Sequence, residues 1–210
     1  MVKNILFDLD GTLIDSFTGI QEAINIAIAN VKPDNSYHFG KEIIGPPIQQ
    51  IFQNIMGDVF DEDMQELIQN FRYQYDNISC NNVELFDAVR DGLLELKNRN
   101  VNLFIFTNKP EKARIQVLKN LEIDHLFKQC ISRDSIVPSF ECKSEMLTKL
   151  IQHHTLNTEE CLVIGDSLED HNAAKKVNIK FIAVQYGYGN FSNEKSMTRI
   201  QDFSSLFHHI

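Results

Sequence analysis

Two aspartates, Asp8 and Asp10, follow a run of apolar residues, 5–7, near the start of the 210-residue chain. Residues two apart in an extended segment project to the same side, and Gly11 permits a sharp turn after them. Two carboxylates this close repel each other unless a cation or a shared proton relieves them, and a hard divalent ion such as Mg²⁺ prefers oxygen ligands. The pair therefore indicates either a metal site or an ordinary acidic turn, and the motif by itself leaves both open.

A second acidic pair follows a later apolar run, residues 162–164. Asp166 comes just after this run, and Asp170 falls in the first turn of the helix predicted next. Ligands of open α/β sheets bind at the carboxyl ends of strands, so both pairs lie where a site is expected. Asp170 is also explained as an acid that the helix dipole stabilises.

A third run, residues 103–106, ends in Thr107 and Asn108, and Pro110 suits the first turn of a following helix. A hydroxyl and the backbone N–H groups of a helix N-terminus favour a bound anion. Thr107 alone is equally typical of a helix cap. Acidic residues at two strand ends and anion-binding groups at a third favour one shared site over three unrelated turns.

The elements that must position these residues are read from hydrophobic periodicity. Five short apolar runs predict strands, at residues 5–7, 103–106, 130–131, 162–164 and 181–184. Unbroken apolar runs suit strands that are covered on both faces, and helical periodicity separates the later runs. We therefore predict an α/β fold, a Rossmann-like parallel five-stranded sheet with helices on both faces.

The segment between the first strand and residue 80 departs from this alternation. It carries three apolar stripes with helical spacing, at residues 20–31, 48–56 and 64–75, and no convincing strand among them. We predict an inserted α-helical domain at residues 16–80 and an α/β core domain formed by residues 1–15 and 81–210.

Composition and charge exclude several classes of protein. Hydrophobic residues make up 43% of the chain, enough for a buried core, which excludes a disordered chain. A formal charge of −9 disfavours nucleic acid and anionic membrane surfaces as partners. The four cysteines form no C-x-x-C pair, which is typical of reduced thiols and disfavours a zinc site. Because neither a signal peptide nor an apolar run of ~20 residues is found, we expect a cytoplasmic protein without a membrane partner.

The motifs together resemble the haloacid dehalogenase-like hydrolase superfamily, and within it the phosphoglycolate-phosphatase-like branch with a helical cap. The matching pieces are DLDGTLIDS at residues 8–16, TNKP at residues 107–110 and GDSLEDHNAAKKVN at residues 165–178. Lys143 falls at the family's position for a lone lysine ahead of the last motif. The family usually has Lys-Pro there, whereas this chain has Lys143 followed by Ser144. The inserted domain at residues 16–80 corresponds to the family's cap.

The resemblance implies roles for the acidic residues. Asp8 would be the nucleophile that forms an aspartyl-phosphate. Asp10 would be the general acid for the leaving alkoxide and then the base that activates water. The Asp8 carboxylate, the Asp10 backbone carbonyl and Asp166 would hold Mg²⁺, and Asp170 would steady that shell through water or a hydrogen bond.

The resemblance also implies which residues bind the phosphoryl group. Thr107, the Asn108 amide and Lys143 would neutralise its charge, because positioning and electrostatics dominate phosphoryl transfer. A segment of the cap, Gly45-Pro46-Pro47, is either a turn or helix start or a loop that faces the substrate.

The resemblance implies a Mg²⁺-dependent phosphatase that hydrolyses a small, phosphoglycolate-like phosphomonoester and works as a monomer or dimer. The alternative is a sugar phosphomutase of the β-phosphoglucomutase type, which usually carries a histidine early in the cap. Residues 17–22 contain no histidine, which favours the phosphatase. A haloacid dehalogenase would lack Asp10, and a non-catalytic binding protein would be expected to have lost a charged group.

Overall fold

A computed structural model describes residues 1–192 and 196–210, and it divides the chain into two compact units. The α/β unit comprises Met1–Asp15 and Glu84–Ile210, and the helical unit comprises Ser16–Val83. The boundary predicted from the sequence, after residue 80, lies three residues before the one that the structure has.

The α/β unit is organised around a parallel sheet of six strands in the order β5-β4-β1-β6-β7-β8. The strands are β1 (Asn4–Phe7), β4 (Asn102–Thr107), β5 (Gln129–Ser132), β6 (Cys161–Gly165), β7 (Lys180–Val184) and β8 (Thr198–Ile200), and β2 (Ile14–Asp15) with β3 (Glu84–Leu85) makes a separate antiparallel pair. The predicted parallel α/β sheet is confirmed, with one correction: it has six strands where five were predicted. The sixth, β8, was missed because it is three residues long and buries only Ile200.

Helices of the α/β unit pack on both faces of this sheet. They are α4 (Val89–Asn98), α5 (Glu111–Asn120), α6 (Lys143–His154) and α7 (Leu168–Lys176). Leu6 belongs to a buried cluster with residues of α6 and α7. Its neighbour Phe7 stacks on Phe203, with ring centroids 5.9 Å apart, on the opposite face. Short 3₁₀ segments complete the unit at Asp124–Leu126, Thr158–Glu160 and Phe203–His208.

The helical unit is built from three helices, as the apolar stripes predict. They are α1 (Phe17–Val31), α2 (Ile48–Met56) and α3 (Asp61–Asn77), with 3₁₀ turns at Lys41–Ile43 and Ser79–Asn81. Helices α1 and α3 pack closely, and Phe71 joins Phe52 and Tyr75 in an aromatic cluster. Across residues 1–192 and 196–210, no helix is long and apolar enough to cross a membrane.

Candidate active site

Three adjacent strands of the sheet end at the candidate site. Strand β1 lies between β4 and β6, and Phe7 is in register with Ile105 and Ile164. Asp8 follows Phe7, and its backbone N–H donates to the Ile164 carbonyl at 2.9 Å, so the ladder continues by one residue. Asp166 comes directly after β6. Neighbouring parallel strands end at the same level. Asp8 and Asp166, although far apart in sequence, therefore lie at the same edge of the sheet.

Three buried carboxylates meet at this edge. Asp8, Asp166 and Asp170 each offer one oxygen, and these oxygens lie within 4.8 Å of one another. All three side chains are buried, which separates this group from the exposed acidic clusters of ordinary surfaces. Carboxylate oxygens are the ligands that hard divalent cations take, so the group fits such an ion.

Lys143 lies among these carboxylates. Its Nζ donates to Oδ1 of Asp8 at 2.8 Å and to Oδ1 of Asp170 at 2.7 Å. The side chains of Lys143, Asp8 and Asp170 are each at most 5% exposed. When all four groups are ionised, three carboxylates and one ammonium carry a net charge of −2, which one divalent cation would balance.

Lys143 is the first residue of α6, and the loop before it is held without the proline that the family usually has. The Arg133 guanidinium donates to the backbone carbonyls of Phe140 and Glu141, at 3.2 and 3.1 Å. The Glu141 N–H in turn donates to the Glu145 carboxylate at 2.8 Å. Side chain to backbone hydrogen bonds therefore fix the loop that presents Lys143.

Asp170 is held at the start of α7 by a capping box with Ser167. The Ser167 N–H donates to Oδ2 of Asp170 at 3.1 Å, and the Asp170 N–H donates back to the Ser167 hydroxyl. The other carboxylate oxygen of Asp170, Oδ1, accepts from the Nζ of Lys143. The residue is thus both a helix-capping acid and a member of the carboxylate group.

Backbone N–H groups of the loop after β7 hold Asp166. Its Oδ2 accepts from the N–H of Tyr188 at 2.7 Å and of Gly189 at 3.2 Å. Gly11, at φ +81°, packs so closely against this carboxylate that a Cβ there would collide with it. Glycine is required at position 11 both for the backbone angle and for this close approach.

Burial dominates the electrostatics of the acidic group. Desolvation, with the charges of Asp170 and Asp166, raises the pKa of Asp8 well above its usual value, although Lys143 opposes the shift. Desolvation and Asp170 raise the pKa of Asp166 to about 6, against the N–H donors of its loop. Burial alone would lower the pKa of Lys143, but Asp170 and Asp8 outweigh it and raise that pKa. The ionised forms of Asp8 and Asp166 are therefore disfavoured in this group, and either bound protons or a cation would relieve them.

The Asp10 carboxylate has a different neighbour. Its Oδ1 accepts from the Nζ of Lys109 at 2.8 Å, and it does not belong to the carboxylate group among the described residues. Thr107 Oγ1 accepts from the Lys109 N–H at 3.1 Å. The Asn108 side chain donates to Glu169 at 2.8 Å, which ties the end of β4 to the start of α7.

The predicted site residues thus fall into two sets. The structure brings Asp8, Lys143, Asp166 and Asp170 together, and it places the Asp10 carboxylate on Lys109. Sequence reasoning missed Lys109, although it lies within the TNKP motif. It also missed the loop donors Tyr188 and Gly189, whose only signal is the repeated Tyr-Gly at residues 186–189.

Comparison with known proteins gives consistent matches over nearly the whole chain. The family described as haloacid dehalogenase-like hydrolase matches residues 5–184. A 5′-nucleotidase of Pseudomonas aeruginosa is 32% identical over 193 residues, which cover 89% of this chain and 84% of the relative. A phosphoglycolate phosphatase of Colwellia psychrerythraea is 30% identical over 196 residues, covering 88% and 84%.

Solved structures agree with these sequence matches. A haloacid dehalogenase-like family hydrolase from Streptococcus pneumoniae has a TM-score of 0.87 with this chain at 26% identity. The match covers 100% of this chain and 99% of that structure. Both the α/β unit and the helical unit therefore have counterparts in one solved protein.

Proposed function

This chain belongs to the haloacid dehalogenase-like hydrolase family, and on that premise we propose that it hydrolyses a small phosphomonoester with Mg²⁺ through an aspartyl-phosphate on Asp8. Membership confirms the resemblance drawn from the motifs. Phosphatase activity is supported by relatives that are phosphoglycolate phosphatases and by a 5′-nucleotidase. The observation that carries the proposal for this chain is the buried Asp8–Lys143–Asp170 cluster with Asp166 beside it.

In the first half of the proposed reaction, Asp8 attacks phosphorus. Lys143 holds Oδ1 of Asp8 in place while the Asp8 carboxylate forms the new P–O bond. The bond from phosphorus to the substrate oxygen breaks, and that oxygen takes a proton from Asp10. Lys143 and the Thr107 hydroxyl then face the negative charge of the phosphoryl group, where fixed donors stabilise the transition state.

The residues that would hold the cation are Asp8 and Asp166, with the Asp10 backbone carbonyl, and Asp170 lies close enough to steady or join them. Bound Mg²⁺ would supply charge neutralisation for the phosphoryl group and for the crowded carboxylates. The oxygen-only ligand set favours hard cations such as Mg²⁺ over Zn²⁺ or Cu²⁺, which take nitrogen and sulfur ligands.

In the second half, water hydrolyses the intermediate. Asp10, now ionised, takes a proton from water as the water oxygen bonds to phosphorus. The bond between phosphorus and the Asp8 oxygen breaks, which regenerates the carboxylate and releases inorganic phosphate. Both halves use the same proton-transfer group, so its position matters twice.

Substrate selection is assigned to the helical unit. Its two chain connections lie side by side, because Asp15 pairs with Glu84 in the β2–β3 ladder directly after the catalytic segment. We propose that this unit is a cap that chooses among small phosphorylated metabolites, and its candidate contact loop is Gly45-Pro46-Pro47, which precedes α2. Substituting residues of this loop should change relative kcat/KM between substrates more than kcat for any one of them.

The chemistry requires no partner besides the phosphorylated substrate. We propose a cytoplasmic monomer or dimer that binds neither nucleic acid nor membrane, in keeping with its net charge and with the free cysteines at positions 80, 130, 142 and 161. Light scattering of the purified chain would distinguish monomer from dimer.

The experiment that tests the function is a panel of phosphometabolites. Phosphoglycolate, nucleoside monophosphates and sugar phosphates are incubated with the protein and Mg²⁺, and released inorganic phosphate is measured. We expect release from at least one member, and none from the Asp8→Asn variant. Conversion of glucose 1-phosphate to glucose 6-phosphate without phosphate release would instead establish the mutase alternative.

A further inference from the structure

Lys109 is a buried cation to which the mechanism above gives no task. Its side chain is 2% exposed, and its Nζ donates to Oδ1 of Asp10, 99 residues earlier in the chain. An ammonium removed from water is costly unless it is paired. Asp10 supplies that pairing, and Asp10 is also the residue assigned to move the proton in both halves of the reaction.

Lys109 reaches Asp10 from a rigid position. It lies between the end of β4 and the start of α5, with Pro110 as the residue that caps the helix. Its own N–H donates to the Thr107 hydroxyl at 3.1 Å. Since β4 is hydrogen-bonded to β1, this anchor is fixed relative to the strand that carries Asp8 and Asp10.

The charges of the site divide into two groups. When ionised, the three clustered carboxylates with Lys143 carry −2, which matches a divalent cation, whereas the Asp10 carboxylate, in the steps where it is ionised, is matched by Lys109. The Asp10 carboxylate is therefore not needed for the cation and is available for proton transfer. Its side chain is 19% exposed, so without a partner it would sample several rotamers.

We propose that Lys109 is the positioning residue for Asp10, holding Oδ1 so that Oδ2 carries the proton to the leaving oxygen. The inference rests on the proposed function. In the step itself, the proton moves from Oδ2 of Asp10 to the substrate oxygen as its bond to phosphorus breaks, and Lys109 keeps its own protons throughout. A general acid must lie within about 2.6–3.2 Å of its acceptor, so a misplaced carboxylate loses most of its effect.

The test is a series of substituted phenyl phosphates, ranging from phenyl phosphate to p-nitrophenyl phosphate. p-Nitrophenolate leaves without protonation, whereas poorer leaving groups need the acid. For Lys109→Met we expect kcat/KM to fall about 10²-fold with phenyl phosphate and only about 3-fold or less with p-nitrophenyl phosphate. Lys119→Met changes an exposed lysine of α5, the helix that follows Lys109, and this matched control should leave the series unchanged.

Three outcomes separate the possibilities. A steeper dependence on leaving group in Lys109→Met supports the inference, while an equal loss across the series overturns it, because a phosphate-binding or purely structural lysine acts on all substrates alike. Asp10→Asn should show the same steep dependence, and adding Lys109→Met to it should cause little further loss. If Asp10→Asn is steep and Lys109→Met is not, the Lys109 inference fails and the proposed function stands.

Failure of the proposed function would look different. If Asp8→Asn hydrolyses the series as well as the unsubstituted chain does, the aspartyl-phosphate mechanism is wrong, whatever Lys109 does. Lys109→Gln, which removes the charge with a smaller change in polarity, serves if the methionine variant does not fold. It should also steepen the series, and a dependence equal to that of the unsubstituted chain would overturn the inference.

Discussion

The two buried lysines of the site lie in different surroundings. Lys143 contacts two carboxylates, Asp8 and Asp170, whose side chains are 5% and 0% exposed. Lys109 contacts Asp10, whose side chain is 19% exposed. The two carboxylates that Lys143 contacts are closed to water, whereas the partly exposed Asp10 carboxylate can be reached by a substrate or by water. The difference suggests separate tasks for two pairs that look alike in sequence.

The group of Lys143 with Asp8, Asp166 and Asp170, here called the Lys143 region, also differs in charge from the Lys109–Asp10 pair. It has three carboxylates for one ammonium, whereas Lys109 has one contacting carboxylate, Asp10. We therefore expect changes in the Lys143 region to alter both turnover and the stability of the metal-free protein. Changes at Asp10 or Lys109 should act mainly on proton transfer.

The largest expected effect is that of Asp8→Asn, which removes the proposed nucleophile. Turnover should fall by at least about 10⁴-fold, since the proposed mechanism forms the covalent intermediate on Asp8 and assigns Asp166 and Asp170 to the cation. The unfolding midpoint should not fall, because burial already raises the pKa of Asp8 and a neutral amide avoids the cost of a buried charge. Steady-state rates and thermal unfolding measure both, with the exposed Asp91→Asn as the control. Substantial activity in a folded variant would assign the chemistry elsewhere.

Removal of divalent cations should have the next largest effect. Chelation should lower turnover by at least about 10³-fold, because the acidic region then keeps its excess charge and repels a phosphate dianion. Adding Mg²⁺ should restore the rate, while Ca²⁺ should bind and restore little, because its larger and more flexible shell places the ligands differently. Turnover that survives exhaustive chelation would mean that Lys143 alone suffices for charge balance.

Lys143→Met should remove the buried ammonium that contacts Asp8 and Asp170. Removing one partner of a buried ion pair typically costs about 3–5 kcal/mol of stability. We expect a loss of this order in the metal-free protein, larger at pH 8 than at pH 5, because the orphaned carboxylates take up protons at low pH. Mg²⁺ should raise the unfolding midpoint of the variant more than that of the unsubstituted chain. The control is Lys149→Met, which changes an exposed lysine of the same helix. Equal stability of the two variants would mean that the contacts of Lys143 with Asp8 and Asp170 do not stabilise the fold.

The sequence predicted one of the two regions better than the other. Apolar runs are local signals, so the strand ends at Asp8, Thr107 and Asp166 were placed from the sequence. The contact of Lys109 with Asp10 spans 99 residues and depends on β4 lying beside β1. Nothing in the residues near Asp10 indicates that register, and the motif gave no reason to prefer Lys109 over a solvated lysine.

Backbone groups and short elements were also beyond the sequence analysis. Asp166 is held by N–H groups of the loop after β7, and a backbone donor leaves no residue-type signal. Lys143 lacks the proline that would have marked its loop, and Arg133 fixes that loop through carbonyls instead. Strand β8 carries too little apolar sequence to predict. In each case the missing information lies in tertiary contacts.

The smallest predicted effect is a pH dependence of the unfolding free energy that comes from the titration of Asp166. Its pKa is raised to about 6 in the folded chain, from an ordinary value of 3.8, by burial and by Asp170. Between these values the folded state holds a proton that the unfolded state has released, so the unfolding free energy of the metal-free protein decreases as the pH rises through this window. Above pH 6 the full cost of the buried charge is present.

Asp166→Asn removes this titration and should stabilise the metal-free protein at pH 7.5 by about 1–3 kcal/mol, with little difference at pH 4. The amide oxygen of Asn can still accept from the N–H groups of Tyr188 and Gly189, so the loop is kept. Urea unfolding in chelator at pH 4, 5, 6 and 7.5 measures the difference between the two proteins, and Asp91→Asn shows what an exposed carboxylate contributes. With Mg²⁺ the order should reverse, because the ion stabilises the unsubstituted chain more. If the variant is less stable than the unsubstituted chain in chelator at pH 7.5, the site does not carry an uncompensated charge, and the contrast with the neutral Asp10–Lys109 pair disappears.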